Sequence, residues 1–230
     1  PASILAPSWS GTNPSQTPTA PAPKGIYGVL DASTPEIQVG LWDLSENRWR
    51  GYASTPLCAL EGLFTLIENV HHTESTPLEA LEGFLYCEGP GSVLGLRILK
   101  MALEAWTVAL QKPFIRYTYR SLDWAAQVLR RQISPPFSIV TEYKQGEWKH
   151  LHVASASGPL PDPEIRPADG FTQAPPHPLY HLAMRKNWAP LACPCLPLAY
   201  SIESMPEVGW HTDWVRPEST AGSSFNVKMP

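Results

Sequence analysis

Two stretches of this chain carry residue types that could handle a phosphate group. Asp31 ends an apolar run and precedes Ala32-Ser33-Thr34-Pro35. A carboxylate there could hold magnesium. An aspartate before Ser-Thr-Pro equally suits a turn, accepting from the backbone two residues on. The second stretch is Gly89-Pro90-Gly91-Ser92, set between a short apolar run ending near Glu88 and a long apolar segment. Unpaired N–H groups at a helix start attract anions. The same residues also build a tight strand-to-helix turn, with glycines for the bend and Ser92 as N-cap. No lysine follows the glycines as it does in a phosphate-binding loop, and Glu88 adds a negative charge beside them. The expectation is a chiefly structural loop: a vestigial phosphate site of Asp31, Gly89, Gly91 and Ser92, with no cofactor beyond weak ATP–magnesium binding.

Other reactive residues are sparse. There is no G-x-S-x-G elbow. His177 and His181 stand four apart, but Pro178 suits a first helical turn and leaves His177 at the cap, with no third ligand. His150 and His152 alternate on a strand and read as a solvated edge. His71 and His72 end a helix, where imidazolium suits the dipole. Cys58 and Cys87 lie in apolar runs and read as small core residues. Cys193-Pro194-Cys195 lacks the second pair a zinc site needs. No metal site is expected, and reduced cysteines suit a cytoplasmic chain.

Composition narrows the class. The 230 residues are 43 % hydrophobic and only 17 % charged, with net charge −4. Without a basic patch, strong direct nucleic-acid binding is not expected. No run of 18 apolar residues predicts a membrane span. Six of the 26 prolines fall in the first 23 positions and eleven between Pro159 and Pro206, so the middle is the folding unit.

The elements follow from periodicity. "IYGVLD", "EIQVGLWD" and "RWRGYAST" read as three hairpin-linked strands, with Ile37, Val39 and Leu41 sharing a face. A helix follows over "PLCALEGLFTLIENV", with Thr55 as N-cap and Pro56 at its first position. Then come strand "GFLYCE", the glycine loop, a helix from Leu96 to Gln111, strand "FIRYTY", and helix "SLDWAAQVLRR" capped by Ser121. This β-β-β-α-β-α-β-α order predicts an α/β fold of the ribonuclease-H-like type, used in the actin-like ATPase superfamily: a mixed sheet with flanking helices. After Pro135-Pro136 a hairpin, a helix near "LYHLAMRKNW" and a strand at "LPLAYSI" predict a reduced second lobe of related type. The expected units are a Pro/Ser/Thr-rich tail (1–24), a first domain (25–134), a shortened lobe (135–206) and a tail (207–230).

Two helices carry more apolar surface than one sheet needs. On Leu96–Gln111 the polar residues cover about 80°, and the apolar residues span an arc of roughly 220°. Leu57 to Val70 is apolar over about half its circumference. Either the rest of the chain packs over them or a partner does. Candidate partner-binding residues are Leu60, Phe64, Ile67, Leu99, Leu103 and Trp106.

"LDASTP" (30–35) and "GPGSVLGLR" (89–97) together resemble the LDTSTP and GPGSFTGLR signatures of the TsaB/YeaZ family. "SLDWA" resembles its SLEAL, and "LPLAYSI" its terminal strand. The similarity runs from about Gly25 to Met205. Ala32 replaces the family's Thr, and Val93-Leu94 replace Phe-Thr, which marks a divergent member. The resemblance implies a non-catalytic dimerisation subunit of tRNA threonylcarbamoyladenosine (position 37) synthesis. Its partner would be a TsaD-like transferase, with a TsaE-like ATPase or a second copy of this chain as further partners. The catalytic relative carries H-L-E-G-H where Ser121 to Ala125 stand here, so both metal-ligand positions are lost. The alternatives are a stand-alone actin-like-fold enzyme, whether ATP-dependent transferase or glycoprotease-like peptidase, and a homodimer with no tRNA role.

Overall fold

The computed structural model describes residues 24–144, 147–167, 180–183, 195–197, 200–209 and 214–219. Three antiparallel strands come first: β1 (Ile26–Asp31), β2 (Ile37–Asp43) and β3 (Arg48–Thr55). Helix α1 (Ala59–Thr73), strand β4 (Gly83–Gly89), helix α2 (Val93–Ala109), strand β5 (Ile115–Arg120) and helix α3 (Ser121–Gln132) follow in the expected order. Strand β4 lies parallel to both β1 and β5. A six-stranded mixed sheet results.

Its sixth strand comes from the far end of the chain. Strand β11 (Val215–Pro217) pairs antiparallel with β5 and completes the order β11-β5-β4-β1-β2-β3. Part of the segment expected as a tail (207–230) is therefore sheet. Trp214, fully buried against Tyr119 and Trp124, anchors it. Beyond the strand, the Tyr86 hydroxyl donates to Glu218 at 2.6 Å, and Arg116 bridges Glu218 and Glu104.

Three apolar clusters set the layers. One lies between the sheet and α1 with α2, holding Ile37, Val39 and Leu41 as expected. The second covers the opposite face with Trp124 of α3, Trp214, Ile202 and Met205. Covered on both sides, β2 is buried at every position instead of alternating, which is why Gln38 and Trp42 are also inside.

The third cluster joins Leu122, Ala125, Ala126 and Leu129 of α3 to a second sheet. That sheet, ordered β10-β9-β6-β7-β8, comprises β6 (Phe137–Lys144), β7 (Glu147–Val153), β8 (Glu164–Pro167), β9 (Tyr180–Ala183) and β10 (Cys195–Pro197). It is antiparallel throughout, unlike the first. Tyr180–Ala183 is strand where a helix near "LYHLAMRKNW" was expected, because pairing with β6 fixes an extended backbone there. Helix α3 thus serves both sheets, and residues 200–208, with the short helix α4 (Met205–Val208), return to the first.

Local starts also differ. Thr55 is held extended opposite Ile37, and its hydroxyl accepts from the Leu57 N–H, so α1 begins later with Cys58 at the N-cap. Cys58 is exposed, not a core residue, whereas Cys87 is buried. Ser121 opens α3 without capping it, since its hydroxyl donates to the Pro90 carbonyl at 2.7 Å.

His150 is buried, not on a solvated edge, because β7 lies between β6 and β8. Burial, reinforced by Arg166, lowers its pKa to about 4, while Glu164 works the other way. Unfolded, the same imidazole protonates near about 6.5. Between those values the unfolded chain binds more protons, so stability falls as pH drops through the window, by roughly 3 kcal/mol at most. Denaturant titrations of wild type and His150→Gln at about pH 7, 5.5 and 4 should show a shallower acid loss in the variant.

Candidate functional site

The two motifs that could handle a phosphate form one joint. Ser92 N–H donates to the Ser33 carbonyl at 2.7 Å, fastening the glycine loop to the turn after β1. A Cβ on Gly91 would lie 2.2 Å from the Ser33 oxygen, and one on Gly95 would lie 2.1 Å from the Ala32 oxygen. Both glycines are needed because backbone meets backbone there. The Ser92 hydroxyl accepts from Gly95 N–H at 3.2 Å, the N-cap expected for α2.

Asp31 is wholly buried. Its Oδ1 accepts from Ser33 N–H at 2.7 Å, the two-residue turn that sequence allowed as an alternative to magnesium binding. Its Oδ2 accepts from Tyr119 OH at 2.6 Å and from Tyr200 OH at 2.7 Å. Burial, then the Asp31 charge, holds both phenols well above their ordinary pKa, so they stay donors. Burial and Asp31 likewise push the neighbouring Cys87 thiol up, which makes it a poor nucleophile. A carboxylate sealed from solvent with its acceptors engaged does not fit the magnesium role that an actin-like ATPase implies. Ser92 commits its N–H to the Ser33 carbonyl and its hydroxyl oxygen to the Gly95 N–H, so both are engaged inside the joint.

The Ser121 and Ala125 positions are equally closed. Ser121 bonds Pro90, and Ala125 faces the second sheet. Among the described residues no three His, Cys, Asp or Glu side chains could hold a metal. Cys193 and His177 lie outside the described residues, so the Cys193/Cys195 and His177/His181 spacings are not described as sites.

The apolar helices divide differently from the sequence expectation. Ile67, Leu99 and Leu103 lie in the core against the sheet and cannot meet a partner. Trp106 is half-buried, stacked on Phe84 at 5.5 Å and edge-on to Phe64 at 6.0 Å. Leu60 and Phe64 do face outward, at 62 % and 38 % exposure. Sequence reasoning missed the outer row of α2. Leu94, Met101 and Val108 are 67 %, 70 % and 75 % exposed, with exposed Ala105 and half-buried Ile98 between them. Steps of four, three, four and three make this a straight stripe about 21 Å long. Gly95 and Ala102, the small residues on the sheet side, were the signal that could have oriented the helix.

A mixed six-stranded sheet with helices on both faces and an attached second sheet is an α/β architecture of the type expected from the element order. Among solved structures, "YeaZ from Pseudomonas aeruginosa" aligns with a TM-score of 0.51 and 19 % identity, over 63 % of this chain and 68 % of that one. A second, described as "an uncharacterized protein with similarity to peptidase YEAZ from Pseudomonas aeruginosa", aligns with a TM-score of 0.50 and 20 % identity, over 63 % and 67 %. This chain therefore has the YeaZ fold. No family model and no curated protein matches it.

Two outcomes follow from the joint. Tyr200→Phe removes one donor from a buried carboxylate and should cost about 1–3 kcal/mol in chemical denaturation. Ser92→Ala should cost about 1 kcal/mol, the value of a lost cap. Calorimetry with ATP and magnesium should show the same nucleotide response before and after the serine change.

Proposed function

We propose that this chain is a non-catalytic assembly subunit, and that it docks a TsaD-like threonylcarbamoyl transferase through the outer rows of α1 and α2. The observation that carries the reading is the paired stripe: Leu60 and Phe64 on α1, with Leu57 just before its N-cap, and Leu94, Met101 and Val108 on α2. Exposed apolar surface of this extent on a folded domain is characteristic of a protein interface. The motifs that could have supported catalysis are spent on structure instead. Asp31 is an internal anchor, and Ser121 and Ala125 are packed. The YeaZ fold agrees with the signature resemblance, and together they point to cytoplasmic tRNA threonylcarbamoyladenosine synthesis, with a TsaE-like ATPase joining through the transferase. No helix among the described residues is long and apolar enough to cross a membrane.

The test separates surface from core. Leu60→Asp and Met101→Asp should fold normally and lose co-purification with the transferase, since a desolvated interface anchor contributes about 2 kcal/mol or more. Leu103→Asp, with its side chain in the core, should fail to fold. Leu60→Asp and Met101→Asp variants that fold and still bind the transferase would place the interface elsewhere.

A further inference from the structure

A cavity of about 280 Å³ opens between the Gly89–Gly91 turn at the foot of α2 and the inner face of the second sheet. Glu88 lines it on one side, and Arg120 and Lys149 line it on the other elements. Its apolar wall includes Val93, Leu96 and the ring of Tyr143. This space is distinct from the Asp31 joint, which is closed.

The charges in it are not matched. Lys149 Nζ sits over the Tyr143 ring at 4.8 Å. Among the described residues no carboxylate lies within ion-pair distance of it, and no cation lies within that distance of Glu88. Arg120 spends Nε on Asp123 and Nη1 on the exposed Asp162. Its Nη2 is buried with no hydrogen-bond partner. One cavity therefore presents an unpaired ammonium and an unpaired carboxylate that do not neutralise one another, with the Arg120 charge in its wall.

We infer that this cavity binds a small zwitterion of the α-amino-acid class. The ligand carboxylate would take Lys149, with the Arg120 charge behind it in the wall, its ammonium would take Glu88, and its side chain would lie on Val93 and Leu96. A phosphate dianion is disfavoured by Glu88, and a simple cation by Lys149 and Arg120. The volume lies just under the roughly 300 Å³ at which pockets for drug-sized ligands begin, which suits a ligand of this size. Charge-assisted contacts at both ends of one small molecule supply the selectivity.

Calorimetry of the full chain tests this with glycine, L-alanine and L-valine against acetate, ethylamine and inorganic phosphate at constant ionic strength. The amino acids should bind, and acetate and ethylamine should each bind about tenfold more weakly or worse, having one charged contact instead of two. Lys149→Met and Glu88→Gln should each weaken amino-acid binding about tenfold while unfolding like wild type. No amino-acid binding up to about 10 mM overturns the inference. So does tighter binding of phosphate or acetate, or amino-acid binding unchanged in both variants.

Discussion

The structure hangs on a buried carboxylate. Asp31 lies inside the protein, where an unpaired charge would cost several kcal/mol. It is tolerated because three donors from three places converge on it: Ser33 N–H from its own turn, Tyr119 from β5, and Tyr200 from the returning C-terminal segment. Each donor fixes a different relation. The Ser33 contact shapes the turn that the glycine loop packs on. The Tyr119 contact reaches across β4 to β5. The Tyr200 contact brings a residue 169 positions away onto the first sheet. Once Tyr200 is placed, the neighbouring bonds follow. Ile202 N–H donates to Gln38, Trp124 Nε1 to the Ser201 carbonyl, and Trp49 Nε1 to the Glu203 carbonyl.

That arrangement changes what the two signature motifs mean. In sequence, an aspartate at a strand end and a Gly-Pro-Gly-Ser loop look like parts of a nucleotide site. In space, they face each other at backbone contact distance, joined by the bond from Ser92 N–H to the Ser33 carbonyl. A phosphate would have to displace the Ser33 carbonyl from Ser92, and magnesium would have to displace two phenols from Asp31. The residues are specific because the joint is tight. Gly91 and Gly95 leave no room for a Cβ, and Ser92 caps the helix that begins there.

The order and type of elements through α3 were legible because each rests on local signals: alternation, apolar periodicity and turn residues. Ser92 as a cap and the Asp31 turn were legible for the same reason. What failed was non-local. Strand β11 consists of three residues whose place depends on Trp214 and Glu218 finding partners more than eighty positions upstream. The burial of His150 depends on β8 pairing beside it, and the strand at Tyr180–Ala183 on β6 offering an edge. Periodicity also showed that α1 and α2 have wide apolar arcs without showing which third faces the sheet. Hence Ile67, Leu99 and Leu103 were grouped with Leu60 and Phe64.

The division of α2 follows from how the sheet is used. The core side presents Gly95, Leu99, Ala102 and Leu103, all buried. Small residues on that row let the helix axis come close, which lets the long side chains at 99 and 103 fill the space against β1 and β4. A helix seated so deeply turns its flank outward, and on α2 that flank is still apolar: Leu94, Met101 and Val108. Helix α1 lies alongside and is seated by the same logic through Leu63, Leu66, Ile67 and Val70, leaving Leu60 and Phe64 outside. The opposite face of the sheet cannot serve as an open surface, because α3 and the segment from Tyr200 onward already cover it. Among the described residues, the chain has spent its own C-terminal segment on that face, whereas the outer rows of α1 and α2 keep exposed apolar side chains.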